Sequence, residues 1–598
     1  MSRLRTAAAA LLMTTGALWA LSNRPDAASK LDRALHDWRQ RPTTVSVRTL
    51  IKTHAGAATQ VRDRLKRLGV AFISPTTSPD LLVAELSRET LDAAARDRNV
   101  TRISSDAMVK SLDALGQNTL LGTEGLIVPS GTNWKRATTY TGHNVGVAVI
   151  DSGVNNGEID SITFFDATNG MKKVTKYDDY GHGTHVSGLL ASNGNYSNNQ
   201  YQGIAPSVPL IEVKVLDKNG NGYTSDVINA INYVVQNNSA LHVGVINLSL
   251  GHPIYEPAGS DPLVQAVENA VASGVVVVVS AGNFGGDLTT HAPEYAGITS
   301  PGNAPDAITV GALETYQTVT RRDDVVAWYS SRGPTWYDGF QKPDMVAPGS
   351  HLVSDVSITS TLYTNFPGGL ISIGDKKFLR LSGTSMAAPV VSGIVASMIE
   401  ASRANHGGAQ LTPNAIKAIL QYTAQPLPSV DVLSQGAGAL NGAGAIAMAI
   451  AIDPRIPVGQ WWLATAINPW TTIGSETISW GQRVVWGDRV IWGNQIYSND
   501  PAWALRVIWG NRVIWGNRVI WGNSTVWDDA NPPVWGNRVI WGNSLIGQTS
   551  GTTVTWGSLS GDVTANRVVW GNVSSLNIAP TSVSWGNLER ANGDLVAK

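Results

Sequence analysis

Apolar and polar positions fall into three regimes along the chain. Over residues 45–103 the spacing switches between period two and helical period: 45–51 and 81–86 read as strands, 58–68 and 89–98 as helices, and 100–103 as a closing strand. This predicts a small α+β unit. Between residues 145 and 452 short apolar runs rich in β-branched residues take over. Strand candidates at 147–150, 210–215, 243–248, 275–279 and 307–310 alternate with helical segments at 184–191, 225–235 and 261–272. Such runs predict an α/β unit with a mostly parallel sheet flanked by helices.

The third regime begins after Pro454 and repeats Arg-Val-Ile-Trp-Gly-Asn. Trp480, Trp486 and Trp492 are six apart, as are Trp503, Trp509, Trp515, Trp521 and Trp527, while later copies at Trp535, Trp541, Trp556, Trp570 and Trp585 spread out. A spacing of six keeps every tryptophan on one face of a strand and scatters them around a helix. Gly-Asn suits the turns between. Residues 455–598 are therefore expected to form a β-repeat or solenoid tail with stacked tryptophans.

Composition narrows the function classes. The chain has 598 residues, a formal net charge of -1 and 15% charged residues, which gives no basis for a nucleic-acid partner. It has no cysteine, so disulfides, thiol catalysis and thiolate metal sites are excluded. No His-Glu-x-x-His pattern suggests zinc catalysis. Arg3 and Arg5 precede the apolar stretch Ala7 to Leu21, with small residues at Ala20 and Ser22, so residues 1–22 read as a secretory signal. Its 15 residues fall short of the roughly 20 a spanning helix needs. No later segment reads as long and apolar enough, and the expected location is extracellular, with surface association through the tail as an added option.

Four motifs carry candidate chemistry. Asp151-Ser152-Gly153 follows the strand at 147–150, placing a carboxylate at a strand's carboxyl end. Gly181-His182-Gly183-Thr184 puts a histidine at the start of a helix. Ala281-Gly282-Asn283 ends another strand on an amide, and Gly383-Thr384-Ser385 precedes the apolar run 390–399 with a serine at a helix start. A serine hydroxyl needs a base, and the base needs an orienting group. In acyl transfer His182 would take the Ser385 proton, Asp151 would fix the imidazole tautomer, and Asn283 with the Ser385 amide would bind the oxyanion. Asp178 and Asp179 read as solvated loop charges.

In this order, with Gly203-Ile204-Ala205-Pro206, Asn247-Leu248-Ser249-Leu250-Gly251, Lys342-Pro343-Asp344 and Ala347-Pro348-Gly349, the motifs resemble those of subtilisin-like serine proteases from Thr139 to Ile450. The resemblance implies a subtilisin-like catalytic domain over residues 128–452 acting on protein and peptide substrates. It places the base at His182 rather than His185. It also implies a substrate groove in which Gly220 and Gly222 offer a strand edge, while Ser249, Leu250, Gly251, Ala281 and Gly282 line the pocket before the scissile bond.

Further expectations follow from the same resemblance. Residues 45–110 would be a ferredoxin-like inhibitory pro-domain, an intramolecular partner of the catalytic domain, cut off somewhere in 109–128. No cofactor enters the chemistry. A structural calcium is implied with Asp160 as a ligand and the loop 193–200 completing the site through amide and backbone oxygens. The expected product is a secreted serine endopeptidase made as a zymogen. The alternative is a surface-binding or adhesin-like protein that contacts cell envelope or polysaccharide through its tryptophan repeat.

Overall fold

The computed structural model describes residues 27–41, 45–111, 140–457 apart from 317 and 319, 460–473 and 476–481, with the backbone of short strands between 483 and 585. The predicted leader and the side chains of the tryptophan repeat beyond Trp480 lie outside the described residues.

The N-terminal unit runs α1 (Arg33–Gln40), β1 (Val47–Thr53), α2 (Ala58–Arg67), β2 (Ile73–Pro75), β3 (Leu81–Leu86), α3 (Arg88–Ala95) and β4 (Val100–Ser105). Its strands form one antiparallel sheet in the order β2-β3-β1-β4. Ile51, Leu86 and Ile103 meet Leu35, Val61, Leu65 and Leu91 from the helices in a core of its own. Side-chain caps start two of the helices, Asp32 on α1 and Ser87 on α3. A further strand, β5 (Met108–Ser111), leaves this unit.

The larger unit begins with β6 (Gly146–Asp151), β7 (Ile162–Asp166) and β8 (Lys172–Lys173), then α4 (His182–Ala191) and β9 (Leu210–Lys214). There follow β10 (Asn221–Tyr223), α5 (Thr224–Gln236), β11 (Val243–Leu248), β12 (Leu250–Gly251), α6 (Pro262–Ala272) and β13 (Val276–Ser280). The sheet is completed by β14 (Ile308–Glu314), β15 (Val325–Val326) and β16 (Met345–Pro348), ahead of the long helix α7 (Thr384–Asn405). Its order is β15-β14-β13-β11-β6-β9-β7-β8, with β16 also on β14; only the pairs involving β8 and β15 are antiparallel.

Alternation along the strands sorts two cores. Val147, Val149, Val245, Val276 and Val278 face α4 and α7, whereas Ala148, Ile150, Ile246, Val277 and Val279 face α5 and α6. Both faces are covered, which is why the strands read as unbroken apolar runs. One expectation needs correction. The 22-residue α7 is long and apolar enough to cross a membrane, yet it is almost wholly buried as the central helix of the fold.

The N-terminal unit rests on α5 and α6. Thr77 donates to Asn229 Oδ1 from its amide (2.9 Å) and hydroxyl (3.0 Å), Asn232 Nδ2 donates to Ser78 Oγ at 2.9 Å, and Arg102 pairs with Glu256 at 2.7 Å. Asp106 accepts the Ser225 amide at 2.8 Å, capping the first turn of α5 from outside the helix. From there β5 threads between β10 and β12 and pairs antiparallel with both.

At the other end Trp480 is buried against the core of the larger unit. Its ring meets Tyr422 edge-on, centroids 6.2 Å apart, and its Nε1 donates to Thr471 Oγ1 at 2.7 Å. Farther on, the backbones of Thr553–Trp556, Arg567–Trp570 and Val583–Trp585 pair in parallel, with position 556 opposite 570 and 570 opposite 585.

Candidate active site

Asp151 ends β6 at the carboxyl edge of the sheet, and His182 opens α4 across from it. The imidazole Nδ1 lies 2.7 Å from Asp151 Oδ1, with both side chains fully buried. The same carboxylate oxygen accepts the Ser152 amide at 2.7 Å. Glycine is obligatory beside the histidine: a Cβ on Gly183 would fall 2.2 Å from the carbonyl oxygen of Gly153. Gly181 at φ 106° makes the turn into the helix.

Ser385 is the second residue of α7, which packs against α4. Its hydroxyl donates to the Ser249 carbonyl at 3.0 Å, and the Ser249 hydroxyl donates back to the Ser385 carbonyl at 2.9 Å. Asn247, at the end of β11, ties the pair together by donating to Ser249 Oγ (3.0 Å) and accepting from Ser392 Oγ (2.9 Å). A hydroxyl has one proton, so Ser385 must turn from Ser249 to reach an imidazole.

Asn283 follows β13, and its side-chain oxygen is held by Thr384 at 3.0 Å from both amide and hydroxyl. That anchoring directs the NH2 end of the amide away from Thr384. Ala281 and Gly282 sit one layer deeper: the Gly282 amide donates to Thr384 Oγ1 at 3.1 Å, and Ala281 donates to Val310 in the sheet. They shape the turn that carries Asn283.

Gly220, Gly222, Leu250 and Gly251 all meet β5. Gly222 pairs with Val109, Leu250 with Ser111 and Gly251 with Lys110, while the Ser111 amide donates to the Gly220 carbonyl at 3.2 Å. Beside this strand a cavity of about 690 Å³ is lined by Asn283, Phe284, Leu288 and Trp328 on the larger unit and by Met108 and Ser111 on the smaller.

A family model for the subtilases, the S8 peptidases, matches residues 142–444, half of the chain. The chain belongs to the subtilase family. This subtilase is accordingly a serine endopeptidase acting on protein substrates. It is 39% identical over 322 residues to serine protease AprX of Bacillus subtilis, covering 52% of this chain and 68% of AprX. It is 37% identical over 261 residues to subtilisin E of the same species, covering 44% and 56% respectively. Fervidolysin from Fervidobacterium pennivorans, a keratinolytic enzyme related to subtilisin, shares the fold with a TM-score of 0.51 at 20% identity, over 68% of this chain and 62% of its own.

Three features of this subtilase depart from the sequence reading. Asp178 is buried, not solvated: it accepts Gly181 N (2.7 Å), Tyr180 N (3.2 Å), Ser152 Oγ (3.0 Å), Thr184 N (2.9 Å) and Thr184 Oγ1 (2.6 Å). Burial pushes its carboxyl up, while these donors and Lys214 pull the other way. Asp179 is half-exposed but pairs with the buried Lys214 at 2.6 Å. The signal for Asp178 was its place just before a helix start, where aspartate is a capping candidate.

Glu212 was also missed. It lies buried in β9, accepts from Ser187 Oγ at 3.0 Å, and is pushed well above the usual carboxylate range by burial and by Asp151 and Asp178. A charge inside an apolar strand run was the available signal. His185 donates from Nε2 to the carbonyls of Leu379 (3.0 Å) and Leu352 (3.2 Å), and burial next to His182 holds it down to about 3, so it stays neutral.

Asp160 does not fit the calcium set the resemblance implied. It is exposed and accepts Asn193 Nδ2 at 2.8 Å, so an amide donor faces it where an oxygen ligand is needed. Among the described residues no three acidic or histidine side chains gather as metal ligands.

Proposed function

We propose that this subtilase is an exported endopeptidase in which Ser385 attacks the scissile carbonyl, His182 moves the proton, Asp151 holds the imidazole, and Asn283 with the Ser385 amide binds the oxyanion. The 2.7 Å contact between His182 Nδ1 and Asp151 Oδ1 is the observation that carries it: it leaves Nε2 as the ring nitrogen for the serine. Gly220, Gly222, Leu250 and Gly251 hold substrate through main-chain hydrogen bonds, which gives broad specificity.

The N-terminal unit is read as a tethered inhibitor. Its strand β5 occupies both edges that a substrate would use. Ser249 carries the carbonyl bonded to the nucleophile and precedes Leu250, the partner of Ser111. The bond cut in maturation is read as lying shortly after Ser111, inside the 109–128 window. The tail is read as a β-repeat that extends the catalytic unit, a view favoured by the burial of Trp480 in the core.

The test is Ser385→Ala in the full chain. Casein hydrolysis and self-processing should both disappear while the protein remains folded; retained hydrolysis would disprove the assignment.

A further inference from the structure

We propose that Asp178 is a positioning residue for hydrolysis, a carboxylate that locks the backbone carrying His182 against the turn carrying Asp151. The inference rests on the assignment of Asp151, His182 and Ser385 given above.

The argument starts from connectivity. Asp151 and His182 come from different elements, so their 2.7 Å contact is only as well fixed as the two backbones are relative to each other. Asp178 bonds to both. On one side it takes the hydroxyl of Ser152, the neighbour of Asp151; on the other it takes the amides of Gly181 and Thr184, which flank His182. Ser152 Oγ is used twice, since it also accepts the Gly183 amide at 2.8 Å. These bonds close a ring that runs from Asp151 through Ser152, Asp178 and the first turn of α4 to His182 and back. Asp178 also bridges Gly153 through the backbone, and its carbonyl accepts Ser357 Oγ at 2.8 Å.

The chemistry of the ring calls for a carboxylate. Helix α4 begins on Gly181, which has no side chain to cap it, and Asp178 takes the orphan amides at its start. All five side-chain partners of Asp178 are donors. An asparagine keeps the shape, but its NH2 must oppose at least one of them. Lys214 braces the same turn by donating to the Ser152 carbonyl at 2.6 Å. Asp178 touches no reacting atom in this scheme and acts through the orientation of His182.

The experiment uses the full chain, processed by a trace of wild-type enzyme, with active sites counted by a serine-directed titrant. Asp178→Asn, Ser152→Ala, the double variant and His182→Ala are compared for kcat and KM on a chromogenic peptide, for thermal midpoint, and for the low-field proton resonance of the His182 Nδ1-H. Asp178→Asn should lower kcat by about 10- to 100-fold with KM nearly unchanged and should shift or broaden that resonance, as expected when a catalytic group is misplaced by about an ångström. The double variant should be little worse than Asp178→Asn, because both changes open one ring. A folded Asp178→Asn protein with wild-type kcat and an unchanged resonance overturns the proposal. If that variant does not fold, Ser152→Ala decides: a lower kcat at constant KM supports the ring, and wild-type kcat overturns it. Activity retained in His182→Ala would instead overturn the underlying assignment.

Discussion

The side-chain oxygen of Asn283 is held by Thr384 through two hydrogen bonds of 3.0 Å, one from the amide and one from the hydroxyl. The residue next to the nucleophile thus orients the proposed oxyanion donor. Asn283→Leu should lower kcat by about 10²- to 10³-fold with little change in KM, the range familiar from subtilisin oxyanion donors. Thr384→Val removes one of the two bonds and should cost about tenfold, near the value of a single hydrogen bond. Steady-state kinetics on a peptide substrate checks both.

Maturation should leave a definite end. Intact-mass and N-terminal analysis of the purified enzyme should find one first residue shortly after Ser111, and Ser385→Ala should yield an uncut chain. A mature end upstream of Ser111 would contradict the pairing of β5 as a substrate-like strand.

Hold of the N-terminal unit should weaken as pH rises. Burial pushes Asp32 up to about 6, Asp226 to about 6 and Glu256 to about 7, from ordinary values of 3.8, 3.8 and 4.5. Across the interface Asp261 raises Asp32 and Asp106 raises Asp226, whereas Arg102 lowers Glu256 and holds it as an ion pair. An acid whose pKa is raised in the complex favours the complex when protonated. The two aspartates should therefore weaken association as pH rises from about 4 to 6, while the Arg102–Glu256 pair opposes them at higher pH. Inhibition of mature enzyme by residues 27–111 added in trans should be about tenfold tighter at pH 4 than at pH 6, one pKa unit of linkage.

Gly183→Ala pits two effects against each other. Alanine favours a helix by about 1 kcal/mol over glycine. Here the new methyl would sit 2.2 Å from a backbone oxygen of Gly153 and 3.1 Å from Glu212 Oε1. Overpacking of this kind costs about 1–3 kcal/mol, and a backbone oxygen cannot swing away. The variant should melt lower and lose most of its kcat, because the displaced residue adjoins His182. Calorimetry and kinetics together check this.

Trp480→Ala should lower stability by about 3–5 kcal/mol, the usual cost of emptying a buried tryptophan site. Its ring faces Tyr422 and fills the space beside Gly444, where a Cβ would come within 2.9 Å of it. Urea denaturation of the matured enzyme measures the loss.

The strands of the main sheet were legible because both faces are covered, so apolar continuity survives in β6, β11 and β13. The antiparallel hairpin of Leu352–Asp355, Leu370–Ile373 and Lys376–Leu381 was not, since Leu370–Ile373 has no fully buried position to mark it. Asp151, His182, Asn283 and Ser385 stood out as candidates through their neighbours in order, and the structure brings Asp151 to His182 and Asn283 to the turn before Ser385. Asp178 escaped because Lys176-Tyr177-Asp178-Asp179 looks like a polar surface loop. Its burial depends on donors from Ser152 and Thr184, partners that only folding supplies. Asp160 misled for the opposite reason: its position matched, but Asn193 meets it with the donor end of an amide.

The strand held between β10 and β12 has a consequence for how activity appears in time. In the proposed scheme a severed leader keeps the same ladder of main-chain bonds as before, so cutting alone frees nothing. Release comes when a neighbouring active molecule digests the leader, and each liberated enzyme then disarms others. Onset should be sigmoidal and abrupt, with a delay that shortens as the population grows denser.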